Sequence, residues 1–264
     1  MSIEVVDLDE YWQAPAVSYL RRSPYRNAIP LSNLTQLRAY CTVVVAHSEG
    51  MVQGVASYYR DLPFPALAFA AEPGPALPQL LTMLADRAPE LREAALGTVI
   101  PQQRLPGLAA CAVIETAEPE TQMVAEPETL RRRDDPQVRR LRGDDLPAMA
   151  ALAKIGGLVA WRDAVLTHGP AFGAFIDTQL AAMATTHFAT PDVVEIGNIV
   201  THPTFRRRGL ASACTSALTD ACFRLAPRVY LMVMENNSGA YEVYRGLGFW
   251  PAERFVFTSF RLRS

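Results

Sequence analysis

The run from Thr201 to Ala211, THPTFRRRGLA, joins a β-branched stretch to a helix-forming one. Backbone N–H groups at such a turn, and in the first helical turn after it, have no intrahelical acceptors and can cradle a pyrophosphate. Gly209 supplies a permissive dihedral and allows close approach, and the small Ala211 keeps side-chain bulk away from an anion. Arg206, Arg207 and Arg208 can add charge-assisted contacts, although three adjacent arginines cannot all face one ligand. Read alone, the segment Arg206, Arg207, Arg208, Gly209, Leu210, Ala211 is either a phosphate loop or a solvated basic turn. It is neither a G-x-G-x-x-G dinucleotide fingerprint nor a Walker A loop, because those glycine spacings and the G-K-[ST] ending are absent.

The elements that must hold this loop are legible in the second half of the chain. A helix is expected from Leu146, after the turn residues of GDDLPAMAALAK. AFGAFIDTQLAAMATTHFA reads as two strands around a turn at Asp177, and VVEIGNIVTHP from Val193 reads as a third. A helix over 209–225, a strand from Arg228, a helix from Ser238 to Leu247 and a last strand after Pro251 complete an α/β pattern that opens with a meander. In the first half, helices are expected within 31–40 and 75–94. Strands are expected at 41–46 and 51–59, with HSEGM as the hairpin turn. PFPALAFA reads as another strand whose prolines suit a sheet edge or a strand end better than a sheet centre. Between Glu115 and Arg142 the composition turns polar. The acidic part reads as a surface connection, and the arginines from Arg131 to Arg142 as a wet strand edge or a patch.

The order of strand, His202–Pro203, R-R-x-G-x-A from Arg206, long helix, strand, and N-N-S-G-A-Y-E-V-Y-R-G-L-G-F from Asn236 resembles the GNAT superfamily of acyl-CoA-dependent N-acyltransferases. The resemblance covers residues 137–260. E-I-G-N-I-V-T-H-P followed by R-R-R-G-L-A is most similar to the subgroup with FR47-like and glycine N-acyltransferase-like C-terminal domains. It implies an α/β fold with the mixed central sheet of that family, in which the strand before the loop splays from its neighbour and admits the pantetheine arm of acetyl-CoA or another acyl-CoA. Ile199, Val200 and Thr201 would then offer backbone groups to the thioester and pantetheine, and Arg207 to Ala211 would hold the pyrophosphate. Ala211 stands where the family often has Gly, an accepted variant. Two-part members carry a degenerate first copy of the fold, which RRSPYRNAIPLSNL near the start resembles. The expected organisation is therefore a degenerate GNAT-like domain over 1–135, without a phosphate loop, and an N-acetyltransferase domain over 136–264.

Acyl transfer to an amine needs an unprotonated nucleophile, an oxyanion contact and a proton for the departing thiolate. Glu195 precedes Ile199 on the same strand, and the two-residue period gives both side chains one facing. The resemblance implies that a glutamate on this strand is the base, acting directly or through water, while a solvated edge carboxylate is the alternative. Tyr244 matches the family layout N-x-x-A-x-x-x-Y-x-x-x-G-F, which implies a proton donor to the thiolate. Asn237 is expected to cap the last helix and touch the cofactor arm, with Asn236 and Ser238 as other caps. Tyr241 shares the helix face of Tyr244 and reads as packing or pocket wall. His202 reads as a loop residue whose imidazole faces away from the cofactor, and His187 as a sheet histidine, with a place in the acceptor pocket wall as the alternative. No Cys, His and acid arrangement can be assembled, so direct attack in a ternary complex is expected rather than an acyl-enzyme.

Composition narrows the classes. With 264 residues, 50% of them hydrophobic, the chain can build a substantial core. Lys and Arg number 25 against 27 Asp and Glu, which argues against a nucleic-acid binder. The N-terminus lacks a basic-then-apolar leader, no apolar run is long enough to span a membrane, and the scattered cysteines form no CxxC pair, so no metal site is expected. Cys214 and Cys222 read as buried free thiols. The expectation is a cytoplasmic acetyltransferase, monomer or homodimer, acting on a small primary amine or amino acid. The alternatives are a protein or peptide N-acetyltransferase and a non-catalytic acyl-CoA-binding regulator.

Overall fold

In the computed structural model, which describes residues 2–71 and 74–263, the apolar runs partition into two units. One is Met1–Glu120 with Arg254–Ser264; the other is Thr121–Glu253.

The first unit contains β1 (Glu4–Asp7), α1 (Glu10–Leu20), α2 (Ala28–Leu34), β2 (Cys41–Ser48), β3 (Met51–Tyr59), β4 (Ala66–Ala71), α3 (Ala76–Arg87), β5 (Leu96–Pro101), α4 (Leu105–Cys111) and the start of β6 (Ala112–Ala125). The β2–β3 hairpin turns on Glu49 and Gly50, both at positive φ (51° and 77°), the geometry that matches strand twist. Leu77, Leu80, Leu81 and Leu84 recur at helical spacing on α3 and bury one face in the core with Phe69, Ile100, Val256 and Phe260. Each such leucine contributes roughly 2 kcal/mol of apolar burial. The expected helix over 31–40 begins earlier and ends at Leu34, and the one over 75–94 stops at Arg87 and is followed by the 3-10 turn Pro89–Arg92. β4 is an interior strand, antiparallel to β3 and parallel to β5, so of the two expected settings for its prolines the strand end holds and the sheet edge does not. Its prolines, Pro63 and Pro65, precede the strand and so cost it no ladder hydrogen bonds.

The second unit receives the end of β6 and continues with β7 (Val138–Arg140), α5 (Leu146–Gly156), α6 (Val165–His168), β8 (Ala171–Ile176), β9 (Gln179–Ala189), β10 (Val194–Thr201), α7 (Leu210–Cys222), β11 (Val229–Met234), α8 (Ser238–Gly246) and the first residues of β12 (Trp250–Leu262). β7 to β10 form the expected antiparallel meander, with Asp177 at φ 52° in the β8–β9 turn, and β10 runs parallel to β11. One face of the sheet packs on α7 and α8 through Ala182, Ile196, Leu210, Cys214, Leu218 and Tyr244. The other packs on α5 and α6 through Met149, Leu152, Val165, Met183 and Val200.

Two expectations about the middle and end of the chain are corrected. The acidic stretch from Glu115 is not a surface connection but part of β6, whose first half is too exposed to show an apolar alternation. Glu115 there accepts hydrogen bonds from Arg261 Nε (2.6 Å) and Ser259 Oγ (2.9 Å), which hold its carboxyl below the usual range. The units accordingly part at Glu120 and Thr121 within β6 rather than at residues 135 and 136. The chain returns to the first unit at Arg254, because Phe255 to Phe260 pair with β5 and Val256 and Phe260 enter its core. Of the arginine run, only Val138–Arg140 is an edge strand; Arg131, Arg132 and Arg133 lie in a non-regular segment.

Candidate active site

β10 and β11 pair at only two rungs, Val194 with Val229 and Glu195 with Tyr230. Beyond Glu195 the edge of β10 has no registered partner on β11, so a gap opens between two parallel strands along Ile199, Val200 and Thr201. Opposite β9, the register slips twice. Glu195 faces Phe188 and Ile196 faces Thr186, so His187 is an extra residue on β9; Gly197 faces Thr185 and Val200 faces Met183, so Asn198 and Ile199 together oppose Ala184. Such bulges bend a strand and re-aim its side chains. Asn198 sits at φ 48°, and its buried amide donates to Thr185 Oγ1 at 3.0 Å, anchoring that conformation.

The second bulge overturns one expectation. Ile196 and Ile199 pack on the α7 and α8 side while Val200 packs on the α5 side, so the two-residue period breaks between them. Glu195 and Ile199 therefore face opposite sides of the sheet. Glu195 is 8% exposed and held at both oxygens: His187 Nδ1–H donates to Oε1 at 3.0 Å, and the Tyr230 hydroxyl donates to Oε2. The His187 ring covers Gly197, where a β-carbon would fall 2.2 Å from Cε1. This arrangement keeps a carboxylate oriented at the last paired rung, where the strands begin to part.

At the far end of β10, the imidazole of His202 accepts from Thr204 N–H at 3.3 Å and caps the 3-10 turn Pro203–Phe205. Arg207 (φ 62°) and Gly209 (φ 82°) both adopt left-handed dihedrals, and Gly209 is the N-cap of α7. Alternation of this kind turns successive N–H groups toward one concavity, which fits a diphosphate. Arg206, Arg207 and Arg208 are exposed, and the Arg208 guanidinium lies over the Phe205 ring, 5.8 Å from its centroid. Ala211 is half-buried and Leu210 is core.

α8 begins at the expected cap: Asn237 Oδ1 accepts from Ala240 N–H at 3.2 Å. Tyr244, two turns in, is 7% exposed, and burial pushes its phenol up to about 12, so it stays protonated through the neutral range. Tyr241 lines a groove of about 650 Å³ with Arg131, Arg245 and Trp250. Glu195 and Tyr244 lie on opposite faces of the sheet.

Cys214 and Cys222 are fully buried and their thiols are pushed up to about 12, so neither is a thiolate at neutral pH. Among the described residues no His, Cys, Asp and Glu group could hold a metal ion, and no helix is long and apolar enough to cross a membrane. The partners of Glu195 were not legible in sequence. Tyr230 is a cross-strand neighbour set by the parallel register, and His187 reaches Glu195 from the bulge on β9. No periodicity signals either pairing.

Residues 137–249 match the family model described as Acetyltransferase (GNAT) family. No curated protein matches the chain. Among solved structures, a putative acetyltransferase from the GNAT family of Novosphingobium aromaticivorans is 24% identical, with 79% of this chain and 89% of that one covered and a TM-score of 0.62. A GCN5-related N-acetyltransferase from Kribbella flavida is 18% identical, covering 92% and 95%, with a TM-score of 0.68. A tandem GNAT protein from the clavulanic acid biosynthesis pathway is 15% identical over 98% of each chain, with a TM-score of 0.65. At these identities the structures establish the fold, mixed α/β in two GNAT-like halves.

Proposed function

We infer that this chain, whose residues 137–249 match the acetyltransferase (GNAT) family model, is an enzyme that transfers acetyl from acetyl-CoA to a primary amine of a small molecule or amino acid, by direct attack in a ternary complex. The observation that carries this reading is the parting of β10 from β11 immediately after the Glu195–Tyr230 rung. It leaves an open strand edge between a held carboxylate and a phosphate loop. The low exposure of Glu195 supports a small acceptor, which can reach a recessed carboxylate more readily than an extended chain can.

Acetyl-CoA supplies the activated acyl group when bound. Gly209, Leu210 and Ala211 hold its diphosphate through backbone N–H groups, with the loop arginines adding charge. The β10 edge at Ile199, Val200 and Thr201 aligns the pantetheine arm, and Asn237 contacts that arm from α8. Glu195 takes a proton from the acceptor ammonium, directly or through one water, and the freed nitrogen attacks the carbonyl carbon as the C–S bond breaks. Tyr244 gives its proton to the departing sulfur and recovers one from the new amide nitrogen. The surplus proton rests on Glu195 until it passes to solvent.

Calorimetric titration with acetyl-CoA, using NAD as the comparison ligand, tests the cofactor class. Mass spectrometry of reactions with a panel of amino acids, polyamines and peptides then tests the acceptor. Micromolar acetyl-CoA binding with NAD silent, followed by acetylation of small amines only, is the expected result. Binding without turnover on any amine would favour a regulator, and acetylated peptides alone would reverse the acceptor class.

A further inference from the structure

The arginine run at 131–133 has no role in the account above, yet hydrogen bonds tie it to α7 and to the end of α8. Three consecutive residues are pinned. Arg131 N–H donates to the Leu247 carbonyl at 2.9 Å. Arg132 Nε donates to Asp220 Oδ1 at 3.0 Å. Arg133 N–H donates to the buried Ser216 Oγ at 2.8 Å. The segment thus crosses from the end of α8 onto α7 with its register set.

This anchoring delivers the Arg133 side chain to the start of α7. A β-carbon on Gly209 would lie 2.6 Å from Arg133 Nη2 and 3.1 Å from Cζ, so the guanidinium rests against the N-cap glycine itself. No ion pair among the described residues engages it. Asp135 follows closely, but its carboxylate turns to accept Gln137 N–H at 2.9 Å. A helix N-terminus carries partial positive charge and repels a cation within its first turn. Arg206, Arg207 and Arg208 add three more positive charges to the same loop. Such a cluster is electrostatically unfavourable by itself and becomes favourable when a multiply charged anion is shared among its members.

We propose that Arg133 is a phosphate-binding residue of the acyl-CoA site, closing over the diphosphate from the side opposite the loop backbone. This rests on the acyl-CoA reading above and extends it to a residue outside the loop and outside the matched domain. Arg132, paired with Asp220, and Arg131 serve to hold the segment in place.

The test is calorimetric titration of wild type, Arg133→Gln and Arg133→Lys with CoA, 3′-dephospho-CoA and pantetheine, with thermal unfolding of each protein alongside. Arg133→Gln is expected to weaken CoA and 3′-dephospho-CoA about tenfold alike, and to leave pantetheine unchanged. Arg133→Lys is expected to recover part of the loss. CoA binding by Arg133→Gln within twofold of wild type would overturn the role of Arg133 while leaving the acyl-CoA reading intact. A loss seen with CoA but not with 3′-dephospho-CoA would overturn the diphosphate assignment and move the contact to the 3′-phosphate. Wild type silent toward CoA would overturn the acyl-CoA reading and this proposal with it. If Arg133→Gln unfolds early, the Lys variant carries the decision: a CoA loss smaller than tenfold with pantetheine unchanged supports the contact, and CoA affinity equal to wild type, or a loss shared by pantetheine, refutes it.

Discussion

The Tyr230 hydroxyl donates to Oε2 of Glu195 across the last rung at which β10 and β11 pair. The residue expected to act as base and the point where the sheet opens are therefore joined by one hydrogen bond, with His187 holding the other oxygen at 3.0 Å.

Tyr230→Phe removes that donor while keeping the ring that packs edge-on against Phe188. Turnover is expected to fall about tenfold with acetyl-CoA affinity unchanged, since the carboxylate loses orientation and not the cofactor its contacts. Glu195→Gln should cost more than Tyr230→Phe. Steady-state kinetics showing Glu195→Gln at wild-type rates would remove the carboxylate from the mechanism.

Tyr244→Phe should lower kcat by a factor of about 10 to 100 and change acetyl-CoA affinity little. Burial holds the phenol at about 12, so its proton is present across the neutral range and the variant should be impaired equally from pH 6 to 9. A large affinity loss with turnover preserved would make Tyr244 a wall of the site.

Gly209→Glu places a side chain where φ is 82° and sets a carboxylate in the diphosphate position. The backbone strain is about 1 kcal/mol, which lowers the melting temperature modestly without unfolding the chain. CoA binding should vanish in calorimetry. Retained binding would mean that the loop does not hold the cofactor.

His168 makes the second unit acid-sensitive. Its Nδ1 lies 3.1 Å from Arg162 Nη2, and because a guanidinium can only donate, the imidazole must be neutral there. Burial first, then the Arg162 and His187 charges, lowers its pKa to about 4 from 6.5. The unfolded chain therefore binds this proton at higher pH than the folded one. The stability contribution is complete above about pH 6.5 and is lost as pH falls toward 4, by about 3 kcal/mol. His168→Gln, which can still accept from Arg162, should flatten that part of the melting-temperature profile; an unchanged profile would assign the acid sensitivity elsewhere.

Much of the second unit was legible because its signals are local. Gly209 before a run of small helix formers marks a helix start, Asp177 between two apolar runs marks a turn, and Asn237 is a cap that acts within three residues. The acidic half of β6 was not legible. Its exposed residues show no alternation, and what makes it a strand is pairing with residues remote in sequence, as with Glu115 and Arg261.

The amino-acid sequence determined the turn before α7, the place of Tyr244 on α8 and the order of elements in the second unit, because turn dihedrals, caps and apolar periods act within a few residues. Only the tertiary structure decided which face Glu195 shares, which residues hold its carboxylate, and where Arg133 reaches. A bulge at Asn198 reverses the facing of everything after it, and the contacts to Tyr230, His187 and Gly209 depend on strand register and chain crossing, which no local pattern encodes.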